Sequence, residues 1–520
     1  MPGAPVITGV EIRRNDVFSA EDRGLFYRAI NSLHRVTEER VIKRELLLRE
    51  GDLFDRDRAA ETERILRALP FIADARVKGE PNPDGSVRLI VETWDQFSLR
   101  FGLSGGLFGG DSSARASLGE SNLLGTGKAF NVKWKQSSDD STSAITYNDP
   151  QFLTTHHDFK VGAEDSEEGG SYDVFLSQPF RTLDSQYSYG FRLTRDRRDV
   201  DFFEEGDEVA EVPSLQDSYS VFLQGAEGPR EFRRFVGLRL SYSESEFGEA
   251  SGEDAADVDI PPDDQITEVG PTFGAEYIRR FIQRRYVDQM DVPEDVSVGV
   301  KLDGFVGLHH REISDDSNQN QFATHLSLTS SYDPDDRQLF TFELFLQQRF
   351  LAGEVRGFSQ SVALHYYNQW IDQHTLAGSV AFDRMGDEDG LEPQLTLGED
   401  NGLRGYPARY FTGDHRLRIN LEDRILTPWE VLKVKIGLAV FFDMGYAWDE
   451  ADDVSMGDLY RSVGIGLRLG NSSLFNKVAR IDFAFPLDDA PEEEFSFSVS
   501  ASAGQIFGLF GNAEGLDSEF

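Results

Sequence analysis

Val434-Lys-Ile436-Gly-Leu438-Ala-Val440-Phe-Phe442-Asp-Met444-Gly-Tyr446 alternates from end to end. Side chains of a strand point in turn to opposite sides, so Val434, Ile436, Leu438, Val440, Phe442, Met444 and Tyr446 share one face. Gly437, Ala439, Phe441, Asp443 and Gly445 share the other. Just upstream, His415–Ile425 repeats the pattern: Leu417, Ile419, Leu421 and Ile425 oppose Arg416, Arg418, Asn420, Glu422 and Arg424. Phe97, Leu99, Phe101 and Leu103 alternate in the same way, as do Phe340–Leu346 and the set Phe495, Phe497, Val499 and Ala501. A soluble sandwich would show this alternation too, but it needs a second layer to cover the apolar face. From about residue 96 onward the helical period is missing. A closed transmembrane antiparallel β-barrel, with its apolar face toward lipid, accounts for the pattern better.

Composition agrees with a barrel and excludes other classes. No stretch reaches the roughly 18 apolar residues of a membrane helix, whereas a spanning strand needs only about 9–11 residues with every second one apolar. The counts of 48 Gly and 40 Phe suit strands with aromatic girdles. A formal net charge of −40 argues against nucleic acid, whose phosphates require basic patches. With no Cys there is no disulfide framework and no thiolate chemistry. Acidic loops such as 249–259 read as solvated surface, and no Asp-x-Asp-x-Asp-Gly pattern supports calcium capture. Met1-Pro-Gly-Ala-Pro5 lacks the basic start and apolar run of a signal peptide. The rest of the sequence favours a mature form whose signal has been removed.

Residues 1–95 have mixed periods. Val6–Ile12 reads as a strand and Val36–Glu50 as a helical stretch stopped by Gly51. Asp55 can cap a second helix with the stripe Thr62, Ile65, Leu66 and Leu69. Phe71 and Ile72 open a strand, Pro81-Asn-Pro-Asp-Gly85 turns it, and Val87–Trp94 returns. The order is β-α-α-β-β, a small three-stranded domain with an open sheet edge.

Leu403-Arg404-Gly405-Tyr406 lies in a Gly-rich loop before the two strands first quoted. Glu422 and Asp443 fall on the polar face of neighbouring strands. If the loop at 398–414 folds into the lumen, Arg404 meets both carboxylates, a pairing that suits a guanidinium fork. This loop, with Phe442-Asp443-Met-Gly445 as partner strand and Leu421-Glu422 before it, resembles the signature of the BamA/TamA superfamily of outer-membrane protein assembly factors. Asn122-Leu-Leu-Gly125-Thr-Gly127, Asp149-Pro-Gln-Phe152, Gln178-Pro-Phe180, Val463–Arg468 and Ile481–Leu487 resemble further segments of these barrels. The residues 1–95 are similar to one POTRA domain.

The resemblance implies about 16 strands over residues 96–507, with a tail at 508–520, and a location in the bacterial outer membrane with the POTRA domain in the periplasm. It implies insertion or translocation of unfolded client polypeptides through a lateral seam between first and last strands, assigned to Phe97, Leu99, Phe101, Phe495, Phe497, Val499 and Phe507. Phe507 is read as the aromatic that ends the last strand. A periplasmic partner docked on the POTRA domain is compatible with it. Alternatives are a dedicated two-partner secretion transporter and a passive pore. The adjacent pairs His156-His157 and His309-His310 point to opposite strand faces and cannot chelate one ion. No His-Glu-x-x-His or Gly-x-Ser-x-Gly motif occurs, so neither enzyme activity, a metal nor a cofactor is expected.

Overall fold

The computed structural model describes every residue except 1–3, 20, 23, 109–110, 137–140, 167–168, 291–292, 314–316, 388–390, 392–393, 400, 450–453, 471–477, 490–497, 504 and 510–520. For residues 103–108, 111–113, 257, 317, 387 and 501–503 only the backbone is described.

The N-terminal domain carries strand Ile7–Asn15, helices Leu25–Leu33, Glu39–Glu45 and Arg56–Arg67, then strands Ile72–Pro81 and Val87–Asp95. Val87–Asp95 lies centrally, parallel to the first strand and antiparallel to the second. Ile7, Ile42, Leu66, Phe71, Leu89 and Val91 form its buried core. Asp55 caps the third helix by accepting from the backbone N–H of Asp57 at 2.8 Å. Two expectations change. The helical stretch at Val36–Glu50 shrinks to Glu39–Glu45, because Leu46 turns extended and enters the core that way. Leu25–Leu33 is an additional helix. It lacks a side-chain cap and packs outside the domain core, so neither a start signal nor a core stripe marks it.

Residues 99–503 form a closed antiparallel ring of 21 strand segments among the described residues, not about 16. Neighbours in sequence pair in order, except that Ser251–Gly252 pairs with Asp207–Glu227, and the last segment, Ser498–Ala503, pairs with the first, Leu99–Phe108. One segment, Ser251–Gly252, has only two residues. The undercount has a physical origin. Asp207–Glu227 and Asp264–Arg284 are 21 residues long, roughly 70 Å at ~3.3 Å per residue. The apolar band of such a barrel is only about 25 Å tall. Beyond it both faces meet water and alternation lapses, as in the strand segment Arg195–Asp199.

Burial is inverted relative to a soluble protein. Val440, Ile465 and Leu238 are 53%, 59% and 55% exposed, whereas Glu422, Asp443 and Arg468 are 0%, 0% and 2% exposed. Charge faces the lumen and hydrocarbon faces out, which only a lipid surround makes stable.

The N-terminal domain sits against one rim, here termed the near side. Arg181 donates to Glu45 at 2.7 Å, Arg67 to Asp295 at 2.7 and 3.0 Å, and Asn122 to Thr37 at 2.8 Å. Arg230 pairs with Glu61, and Lys433 with Asp22. The near-side Asn-Leu-Leu-Gly turn packs beneath the domain: the Gly125 carbonyl accepts from Glu38 N–H at 2.8 Å.

Candidate functional site

The loop between strands His374–Asp387 and His415–Val431 begins at the far rim and turns back into the lumen. A small two-stranded sheet, Leu395–Leu397 with Phe411–Gly413, pins its base. Leu397, Leu403, Tyr406, Tyr410 and Phe411 bury one another there, with Ala447 on the wall. The Tyr406 hydroxyl lies 3.0 Å from the carbonyls of both Arg461 and Asp488, which anchors the loop to the next strands. Gly405 has φ +99°, and a Cβ there would come within 3.2 Å of Ser462 Cβ and 3.3 Å of Pro486 N. A Cβ at Gly445 would stand 2.7 Å from the Leu417 carbonyl and 2.9 Å from Leu397. Both glycines let the loop approach the wall this closely.

Arg404 is thereby delivered, fully buried, to three carboxylates. Its Nε and Nη2 donate to the two oxygens of Asp443 at 2.7 and 3.0 Å, a bidentate fork. Nη1 donates to Glu422 at 3.0 Å and to Asp482 at 3.1 Å. The guanidinium carbon lies 3.4 Å over the Phe441 ring, which adds a cation–π contact. Asn420 donates to Asp443 at 2.8 Å and to the Gly402 carbonyl at 2.7 Å.

The carboxylates are in turn shared. Arg468 donates to Glu422 at 3.1 Å and to Asp482 at 2.5 Å. Arg424 donates to Glu422 at 3.3 Å, and Arg480 lies 3.8 Å from Asp482. Charges of both signs interleave, which offsets the desolvation cost that an isolated buried ion would carry. Arg404 joins strands His415–Val431, Val434–Trp448 and Ala479–Pro486, and Arg468 ties Tyr460–Gly470 to the same carboxylates. It is a clamp, with no nucleophile or proton relay in it.

Of the residues picked out from the sequence, Leu403, Arg404, Gly405, Tyr406, Glu422, Asp443 and Gly445 converge here. Asp482, Arg468, Arg424 and Phe441 complete the clamp and were not assigned to it from sequence. The parity test that picked Glu422 and Asp443 would have found two of them. Arg468 and Asp482 stand on the polar face of their own alternating strands, opposite Leu467 and Phe483.

The seam is short. Among the described residues Ser498–Ala503 and Leu99–Phe108 share three pairs, Val499↔Leu107, Ser500↔Gly106 and Ala501↔Gly105. The hairpin of Leu99–Phe108 with Asp111–Glu120 has ten. Leu99 lies on the first strand, and Phe101 there is 69% exposed. Phe495 and Phe497 lie outside the described residues. Phe97 does not belong to the seam. It precedes the strand and is buried against Val17 and Phe18 of the N-terminal domain, because the chain must bend there to leave that domain.

Phe507 is a second correction. It ends no strand; after Ala503 the chain turns into the lumen. The Phe507 ring stacks on His365 at 5.9 Å and is buried with Val287, Leu339, Tyr367 and Ala377. Its carbonyl accepts from Arg424 at 3.1 Å, and Leu509 N–H donates to Asp288 at 2.6 Å. An apolar pocket and the Arg424 guanidinium on the lumen wall hold this aromatic better than a position beyond the last ladder bond. Among the described residues no three metal-ligating side chains form a cluster.

Comparison with known proteins fits this architecture. Residues 30–93 match the POTRA model described as a surface antigen variable number repeat. Residues 122–507 match the Omp85 superfamily domain. No protein of curated function matches. Among solved structures, BamA from Haemophilus ducreyi lacking POTRA domains 1–3 is similar at 12% identity and TM-score 0.42, covering 96% of this chain and 84% of that one. CdiB from Escherichia coli is similar at 11% identity and TM-score 0.46, covering 96% and 77%. CdiB from Acinetobacter baumannii gives 12% and 0.40, covering 96% and 74%. These three likenesses are too distant to carry an argument. The family match covers most of the chain, the clamp included: the chain belongs to the Omp85 superfamily of outer-membrane β-barrels and carries one POTRA domain.

Proposed function

We propose that this barrel inserts client polypeptides into the outer membrane by opening between its first and last strands, with the POTRA domain in the periplasm. The observation that supports this most is the seam, which among the described residues has only three pairs. Few backbone hydrogen bonds hold the ring there, so it opens at that ladder. Leu99–Phe108 then presents an edge to which an extended client strand adds by main-chain pairing. The open edge of the POTRA sheet offers an earlier docking place of the same kind. The clamp stiffens the strands His415–Val431, Val434–Trp448, Tyr460–Gly470 and Ala479–Pro486, so opening is confined to the seam. No nucleotide or other cofactor enters the cycle.

The test uses the natural absence of cysteine. Leu107→Cys with Val499→Cys locks a directly paired position across the seam. In proteoliposomes, folding of an unfolded small barrel client is followed by protease protection and heat-modifiability. Wild type accelerates it, the oxidised variant does not, and reduction restores the rate. Equal acceleration by the locked form removes the seam from the mechanism. No acceleration by correctly folded wild type moves the function to dedicated secretion or a passive pore.

A further inference from the structure

Helix Leu25–Leu33 has a wide apolar arc. At 100° per residue, Leu25, Ala29 and Leu33 form one stripe, Phe26 and Ile30 the next, and Tyr27 lies beyond them. Only part of this arc is covered. Phe26, Tyr27 and Ile30 pack against Val17, Phe18 and Phe97, a cluster that Leu99 and Val434 of the barrel also join. Lys433 sits over the rings of Phe18 and Tyr27, at 5.5 and 5.8 Å. Leu25 and Leu33 remain 81% and 65% exposed.

The two barrel residues that join this cluster decide what lies around the helix. Val434 is the near-side end of the outward row Ile436, Leu438 and Val440, and Leu99 is the near-side end of the row that holds Phe101. Both rows face lipid. A helix packed against their ends is outside the rim and not beneath the lumen. Trp429, Val431 and Leu432, on the turn that leads to Val434, are 59%, 61% and 51% exposed and extend the same apolar surface. Trp at such a level is typical of the headgroup boundary.

We infer that helix Leu25–Leu33 is an interfacial helix, with Leu25, Ala29 and Leu33 immersed in the bilayer leaflet on the near side. Its occupant is lipid because the uncovered stripe continues the barrel's own lipid-facing surface. Arg28 flanks the stripe and reaches toward phosphates while its stem stays apolar. The inference needs the barrel to be in a membrane; it does not need the client mechanism.

Single cysteines at Leu25, Leu33, Val440 and Asp84 would each carry an environment-sensitive fluorophore in full-length protein. The proteins are reconstituted in phosphatidylethanolamine–phosphatidylglycerol vesicles containing lipids brominated near the glycerol end of the acyl chain. Val440 reports the barrel wall and Asp84 the exposed POTRA turn. The expected result is quenching at Leu25→Cys and Leu33→Cys approaching that at Val440→Cys, with none at Asp84→Cys and little quenching of the helix sites by aqueous iodide. Quenching at Val440→Cys without quenching at the helix sites overturns the inference and leaves the barrel reading intact. That outcome leaves the stripe to a protein partner. Absence of quenching at Val440→Cys as well overturns both.

Discussion

Arg424 donates to the Phe507 carbonyl at 3.1 Å and holds its guanidinium carbon 5.0 Å above the Phe507 ring. The same side chain reaches Glu422 at 3.3 Å. The segment after the last strand is thus tied to the wall that bears the Arg404 clamp, and the end of the seam strand has an anchor far from its own ladder.

Phe507→Ala is expected to free that anchor. Truncating a buried Phe typically costs about 3–5 kcal/mol. Unfolding on heating, followed by gel mobility, should shift to lower temperature. Cleavage after residues 505–509 by chymotrypsin-like or elastase-like proteases should rise in the vesicle-bound protein. An unchanged cleavage pattern would show that the segment is held by something other than Phe507.

Arg404→Ala leaves Asp443, Glu422 and Asp482 short of a shared partner. Breaking a buried pair from one side costs about 3–5 kcal/mol. Arg404→Lys should recover only a small part, since a point charge cannot make the fork to Asp443. In a double-mutant cycle Arg404→Ala and Asp443→Asn should be far from additive in thermal stability. Additive losses would mean that the two side chains are energetically separate.

Gly405→Ala combines positive φ with a Cβ 3.2 Å from Ser462 Cβ. A loss of about 1–3 kcal/mol follows from backbone strain alone. Ser462→Gly in the same protein should relieve the contact but not the strain. Partial recovery of thermal stability separates the two causes, and full recovery would show that strain counts for little.

Acid should loosen the POTRA domain at one contact. The Lys433 ammonium, hydrogen-bonded to Asp22, holds the Asp22 carboxyl below its ordinary 3.8, against a smaller opposing push from burial. A depressed carboxyl contributes stability above its unfolded value and loses it as pH falls through the folded one. Lys433 is 41% exposed, so the pair is worth about 1 kcal/mol or less. Spin labels on helix Leu25–Leu33 and on Trp429 should show a broader distance distribution at pH 3 than at pH 7. Lys433→Ala should broaden it at pH 7.

Strand parity carried the sequence reading where a segment stays within the lipid band. It placed Glu422 and Asp443 on one face because both strands alternate without interruption, and the loop before them had the glycines for close approach. It gave too few strands, since Asp207–Glu227 and its neighbours run far into water, where no force sorts polar from apolar. It also carried the last strand too far. Alternation through Ala501 says nothing about Phe507, whose burial depends on Val287, Leu339 and Tyr367 from distant strands. Helix Leu25–Leu33 escaped notice for a related reason. Its covered residues pack against Val17, Phe18 and Phe97, contacts that local pattern does not contain.

The clamp also fixes an order of events during the chain's own biogenesis. Arg404 precedes every acid it binds, and Asp482 lies 78 residues downstream. The loop therefore cannot seat until the strand Ala479–Pro486 stands in the wall, one strand before the ring closes. Seating of Arg404 is a late step, and a barrel in which it has happened is one whose last strands are already in register.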